Sequence, residues 1–110
     1  MEKKLLQIIN HYGYRNQLKK LSEELYELQE AIRDFENQKE VCENIGCKEL
    51  HTDKEKEHIT EELADVMVML EQFKLYYGIS SEEITKIFWS KVDRQLGRMK
   101  EMINNDYKTR

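Results

Sequence analysis

At 110 residues the chain holds one domain and is too short for two, since a chain of this size builds a single core. Proline is absent and glycine occurs four times, a composition of long helices rather than of sheets joined by tight turns. The net charge of −4 argues against a domain that grips nucleic acid by neutralising phosphates, and no apolar run approaches the ~20 residues of a membrane span, so a soluble, cytoplasmic protein is expected.

Residues 2 to 11 carry Leu5, Leu6, Ile8 and Ile9, which predicts a short helix that Gly13 ends or bends. From Tyr14 to Asn37, Leu18, Leu21, Leu25, Leu28, Ile32 and Phe35 recur at steps of three and four, the period of an amphipathic helix. Residues 38 to 52 lose that period and contain Asn44 and Gly46, so they read as a connecting segment. Cys42 and Cys47 lie within it among charged neighbours, where a disulfide has little to staple, and reduced thiols are expected.

Thr52 with Glu55 has the form of a capping box, and Ile59, Leu63, Val66, Leu70, Phe73 and Tyr77 then repeat at helical steps up to Gly78. Ser80 with Glu83 repeats the signature ahead of Ile84, Phe88, Val92, Leu96, Met99 and Ile103, predicting a last helix over 81–104 and a frayed polar tail over 105–110. Three long helices after one short one make an all-α antiparallel bundle the economical architecture. The third helix also carries Ala64, Met67, Val68 and Met69, so it is apolar almost all round, which predicts a homo-oligomer, tetramer or dimer, formed through it.

On a wheel of 100° per residue, the second helix's stripe centres near Leu21, Leu25 and Ile32, with Glu24 and Glu27 about 75° and 135° to one side. The third helix's stripe centres near Ile59, Val66 and Leu70, with Glu62 and Asp65 about 60° and 120° off in the same sense. Both pairs therefore edge the core, while Glu23 and Glu61 point outward. Acids three residues apart stack on adjacent turns, close enough to share a hard divalent cation, and four carboxylates at one seam repel unless a cation compensates them. In a chain that is 36% charged, a single Glu-x-x-Glu is most often a solvated face, whereas two matching copies on neighbouring helices point to metal binding.

Glu23-Glu24-Leu-Tyr-Glu27 and Glu61-Glu62-Leu-Ala-Asp65 resemble the paired EExxE and EExxD motifs of the MazG-like, all-α nucleoside triphosphate pyrophosphohydrolases. The lead-in from Asn10-His-Tyr-Gly through Gln17 and the basic stretch Lys91-Val-Asp-Arg94-Gln-Leu-Gly-Arg98 look like those of its short, single-domain members. Residues 36–56 fall outside the resemblance and amount to an extended helix or a loop insertion. The resemblance implies Mg²⁺, with Mn²⁺ as a substitute, held by Glu24, Glu27, Glu62 and Asp65. It implies cleavage of an NTP or dNTP between the α- and β-phosphates to nucleoside monophosphate and pyrophosphate, with Glu24 or Glu27 as the base.

Lys91, Arg94 and Arg98 form one basic strip suited to phosphate oxygens, although cations are also favoured near any helix C-terminus. Tyr12, Tyr14 and Gln17 are candidates for a nucleoside slot, and Trp89 at helical spacing is more often a packing residue. His58 shares a strip with Glu62 and Asp65, open to substrate contact or to plain solvent. Three other readings compete. Glu55-Lys-Glu-His58 has the Glu-x-x-His spacing of di-iron bundles but lacks a second copy. Cys42, Cys47, His51 and His58 match no usual zinc spacing. A non-enzymatic helical interaction protein, docking through the Met-rich third helix, is the main alternative.

Overall fold

In a computed structural model, residues 2–47 and 51–109 are described, with side chains through residue 106. Four helices follow in order, α1 (Glu2–Tyr12), α2 (Tyr14–Asn44), α3 (Asp53–Tyr76) and α4 (Ser81–Thr109), and among the described residues there is no strand. The fold class is all-α. No helix is long and apolar enough to cross a membrane. The chain divides into two compact units, Met1–Tyr77 and Gly78–Arg110.

In the first unit, α2 and α3 run antiparallel. Tyr14 meets Tyr77 through their hydroxyls at one end, and Gln17 bonds to Gln72 one turn further in. The α1 helix lies against both partners, and Ile9 joins Met69 and Phe73 in the core, with Tyr14 and Leu21 packed on it. A single residue turns the chain between α1 and α2: Gly13 has φ of 91°, a left-handed conformation open to glycine at no steric penalty. The Tyr14 ring stacks on Tyr76 with centroids 4.6 Å apart and closes this end of the hairpin.

Residues 38–44, expected to be connecting chain or an extended helix, are the last two turns of α2. Gln38-Lys-Glu-Val-Cys-Glu contains no breaker, so intrinsic propensity carries the helix on after the apolar period ends. Termination comes at Gly46, at φ 74°. Its N–H donates to the Glu43 carbonyl at 3.3 Å and the Cys47 N–H to the Cys42 carbonyl at 2.9 Å, the paired bonds of a Schellman stop. That stop sets the two free thiols side by side, and burial together with the Cys42 thiol pushes the Cys47 thiol above its usual range. Residues 48–50 of the expected connection lie outside the described residues.

The box expected at Thr52 is not made. Thr52 is the N-cap of α3 and its carbonyl accepts the first helical bond, from the Lys56 N–H at 2.9 Å, but its buried side chain forms no cap bond. The box at Ser80 is made in both directions, with Glu83 N–H donating to Ser80 Oγ at 3.1 Å and Ser80 N–H to Glu83 Oε2 at 3.3 Å. From that start α4 continues to Thr109, so the stretch expected to fray is helical as far as it is described, and Arg110 lies outside the described residues.

The largest correction concerns rotation. The buried positions of α2 are Gln17, Glu24, Ala31 and Cys42, and those of α3 are Glu62, Val66, Met69, Gln72 and Phe73. Leu18, Leu25 and Ile32 on α2, with Leu63, Met67 and Leu70 on α3, are exposed. Each helix is thus turned so that an acid expected at the rim of the seam lies within it.

Candidate metal centre

Seven-residue spacing explains how the acids reach the seam. Gln17, Glu24 and Ala31 repeat every seven residues and so share one line along α2, the line that faces α3. The line Glu62, Val66, Met69 and Phe73 answers it at steps of three and four. Glu24 is 6% exposed and Glu62 9% exposed. One carboxylate oxygen from each of Glu24, Glu62 and Asp65 comes within 4.8 Å of the others, although Asp65 itself is exposed.

Each buried glutamate has a basic residue four positions before it. Lys20 Nζ lies 3.2 Å from Glu24 Oε1, and His58 Nε2 lies 3.3 Å from Glu62 Oε1. The hydrogen bond and charge of Glu24 raise the Lys20 pKa above its usual value. These contacts engage one oxygen of each carboxylate. The other two, Glu24 Oε2 and Glu62 Oε2, are buried with no hydrogen-bond partner. A buried carboxylate oxygen left unpaired is strongly destabilising, so two of them on neighbouring members of one acidic group mark a place that fits a cation. The donor set is all oxygen, which suits a hard divalent ion.

Glu27 is exposed and is not one of those three, yet its carboxyl meets those of Glu24 and Glu62. The Glu24 charge, partial loss of water and the Glu62 charge hold its carboxyl above the usual glutamate range. The folded state therefore binds this proton more tightly than the unfolded chain does. The resulting stability is fully present below the ordinary glutamate pKa and is lost as pH rises through the raised value. Melting curves recorded in chelator from neutral to acid pH should show the wild type gaining on Glu27→Gln as pH falls, and parallel profiles would contradict this origin of the shift.

Among the other expected site residues, Gln17 and Asp65 line a cleft that runs from the acids towards α1, and His58 touches Glu62 from the exposed side. Tyr12 lines the same cleft, and Tyr14 belongs to the aromatic cluster with Phe73, Tyr76 and Tyr77. Lys91 and Arg94 line a shallow groove on α4 with Lys86 and Ser90. That strip, with Arg98 on the next turn, belongs to the second unit, and the acids belong to the first. Glu24, Glu62 and Asp65 form a group that could hold a metal ion, whereas no group containing Cys42, Cys47, His51 or His58 does so among the described residues.

Sequence reasoning missed Lys20, Met69 and Gln72, which also line the cleft. Lys20 and Gln72 are polar and carry no periodic signal. Spacing could have found Gln72, which follows Asp65 by the same seven positions that separate Gln17 from Glu24.

No protein-family model, no curated protein and no solved structure matches the chain.

Proposed function

We propose that the protein is a Mg²⁺-dependent nucleoside triphosphate pyrophosphohydrolase of the MazG-like kind. The observation that carries this reading is the convergence of Glu24, Glu62 and Asp65 to within 4.8 Å, with one oxygen of each of the two glutamates buried and unpartnered. Those three residues would hold the ion, with Glu27 beside them. When bound, a divalent ion supplies charge neutralisation to the phosphate oxygens of a nucleotide.

The protein's own groups do the rest. The Glu27 carboxylate, exposed beside those three, is the group suited to take a proton from an attacking water. Lys20, exposed at the edge of the same cleft, is the cation suited to meet a phosphate oxygen. His58 holds Glu62 from the other side. The expected products are nucleoside monophosphate and pyrophosphate. Incubating a panel of NTPs and dNTPs with Mg²⁺ or Mn²⁺ and reading pyrophosphate against orthophosphate tests this, and orthophosphate as the sole inorganic product would sink it.

The same reading includes self-association. Leu18, Leu25 and Ile32 form an exposed stripe on α2, and Leu63, Met67 and Leu70 form another on α3, beside a core built from few residues. Apolar stripes of this length on a small chain mark contact surfaces. A second copy of the chain is the proposed occupant, giving a dimer or tetramer. Sedimentation velocity at micromolar concentration should show that assembly in the wild type and a smaller species in Leu70→Lys, and a wild-type monomer would overturn it.

A further inference from the structure

The far end of α2 carries a second pair of chemically reactive side chains. Cys42 is 2% exposed, Cys47 is half-buried, and both thiols are free. Glu24 lies five turns back along α2, about 27 Å away, so this pair is separate from the acids.

The two cysteines hold defined places in the helix stop. With Ile45 as the C-cap and Gly46 in the left-handed conformation after it, Cys42 is the third residue from the end of α2 and Cys47 the second beyond the cap. Side chains at these two positions commonly meet in an apolar contact across a Schellman stop. Here both are cysteine, and the Cys47 thiol hydrogen-bonds to the Cys42 thiol. Gln38 Nε2 donates to the same Cys42 sulfur at 3.7 Å. Two small apolar side chains would fill the contact equally well, whereas two touching thiols add a reaction that no apolar pair can undergo.

A disulfide requires Cα atoms roughly 4.4–6.8 Å apart and Cβ atoms that converge. The Cys47 N–H donates to the Cys42 carbonyl at 2.9 Å, which ties the two backbones together, and the thiol contact brings the side chains to each other. Gly46 permits this register. A Cβ there would meet nothing within 4 Å, so the position requires glycine for its φ of 74° and not for space.

We propose that Cys42 and Cys47 form a thiol–disulfide site that reacts with a low-molecular-weight disulfide and closes into an intramolecular bond across the helix stop. In the first step Cys47, the more open of the two, loses its proton and its sulfur attacks one sulfur of the small disulfide. A mixed disulfide forms on Cys47, and one small thiol leaves carrying a proton. In the second step Cys42 loses its proton, its sulfur attacks Cys47 Sγ, and the second small thiol leaves. The two cysteines give up two electrons and two protons, and the small disulfide takes them up as two thiols. Burial and the Cys42 thiol hold the Cys47 thiol above its usual range, so the first step is slow at neutral pH and quickens as pH rises. The bond fixes the chain where it leaves α2. Gln38, against the Cys42 sulfur, also lines a groove with His51, Asp53 and Lys54 at the start of α3, so the site borders both helices.

The test needs no turnover and is independent of the hydrolase reading. Full-length protein is equilibrated anaerobically with glutathione and glutathione disulfide in set ratios, quenched in acid, alkylated and read by mass spectrometry. The wild type should lose both thiols together, as an internal disulfide with no lasting glutathione adduct. Cys42→Ala should instead retain glutathione on Cys47, because the resolving sulfur is gone, and Cys47→Ala should stay unmodified at the buried Cys42. Gly46→Ala keeps both cysteines and disfavours the left-handed stop, so it should need about tenfold more glutathione disulfide for half-oxidation. Gly46→Asn, which tolerates that conformation, should stay near the wild type. The wild-type chain unfolded in urea should oxidise less readily than the native one, and this arm decides even where a variant folds poorly. Two free thiols at every ratio, glutathione held on Cys47 of the wild type, or an unfolded chain that oxidises as readily as the native protein would overturn the proposal.

Discussion

Saturating Mg²⁺ should raise the melting temperature of the wild-type protein by roughly 10 °C, the shift that a ligand at a hundredfold excess over its Kd, worth about 2.7 kcal/mol, produces in a chain of this size. The prediction follows from Glu24 Oε2 and Glu62 Oε2, which are buried without a partner. Neutralising either acid should act in opposite directions with and without the ion. In chelator, Glu24→Gln and Glu62→Gln remove one of two neighbouring buried carboxylates and should melt at or above the wild type. In Mg²⁺ they should fail to gain. Crossed curves of this kind are hard to produce by a general loss of packing, which would lower stability under both conditions. Differential scanning fluorimetry in Mg²⁺, Ca²⁺ and chelator reads all of it, and a wild type indifferent to every divalent ion would remove the metal centre from consideration.

The second large effect concerns turnover. Glu27→Gln should reduce kcat by about 10²- to 10⁴-fold, the range for loss of a positioned general base, while leaving most of the Mg²⁺-induced stabilisation in place. The reason is that Glu27 is exposed, whereas Glu24 and Glu62 are buried and each carries an oxygen without a partner. Glu62→Gln should instead lose turnover and stabilisation together. If Glu27→Gln loses the stabilisation as completely as Glu62→Gln does, Glu27 is a ligand and the proton goes elsewhere. The pH profile adds a further readout. The acid limb of kcat/KM in metal-loaded enzyme should disappear in Glu27→Gln if that carboxylate is the base, and it should persist otherwise.

The helices were legible because each carries an apolar residue every three or four positions, and Gly13, Gly46 and Gly78 punctuate them. The acid pairs were legible because two short motifs repeat. Helix rotation was not, and the cause is physical. A periodicity argument counts apolar residues and assigns them to the core. Here apolar residues divide between an inner line, such as Leu21, Leu28 and Phe35, and an outer line, Leu18, Leu25 and Ile32. Averaging the two lines places the stripe between them and moves Glu24 to its edge. Only the contacts reveal that the inner line is centred on Gln17, Glu24 and Ala31, two of them polar. Residues 38–44 stayed open between connecting chain and an extended helix for a related reason: they are helical by propensity and by the position of Gly46, without an apolar stripe to announce it.

The single tryptophan gives the two-unit division an optical consequence. Trp89 lies on α4, and five of the six tyrosines, Tyr12, Tyr14, Tyr26, Tyr76 and Tyr77, lie in the first unit, with Tyr107 in the second. Excitation at the red edge therefore watches one unit, and the near-ultraviolet dichroism of the stacked Tyr14 and Tyr76 rings watches the other. Without any label, a denaturant titration followed by both signals reports whether the chain melts as one cooperative body or as two. Coincident midpoints mean one body, and a wavelength-dependent midpoint means two.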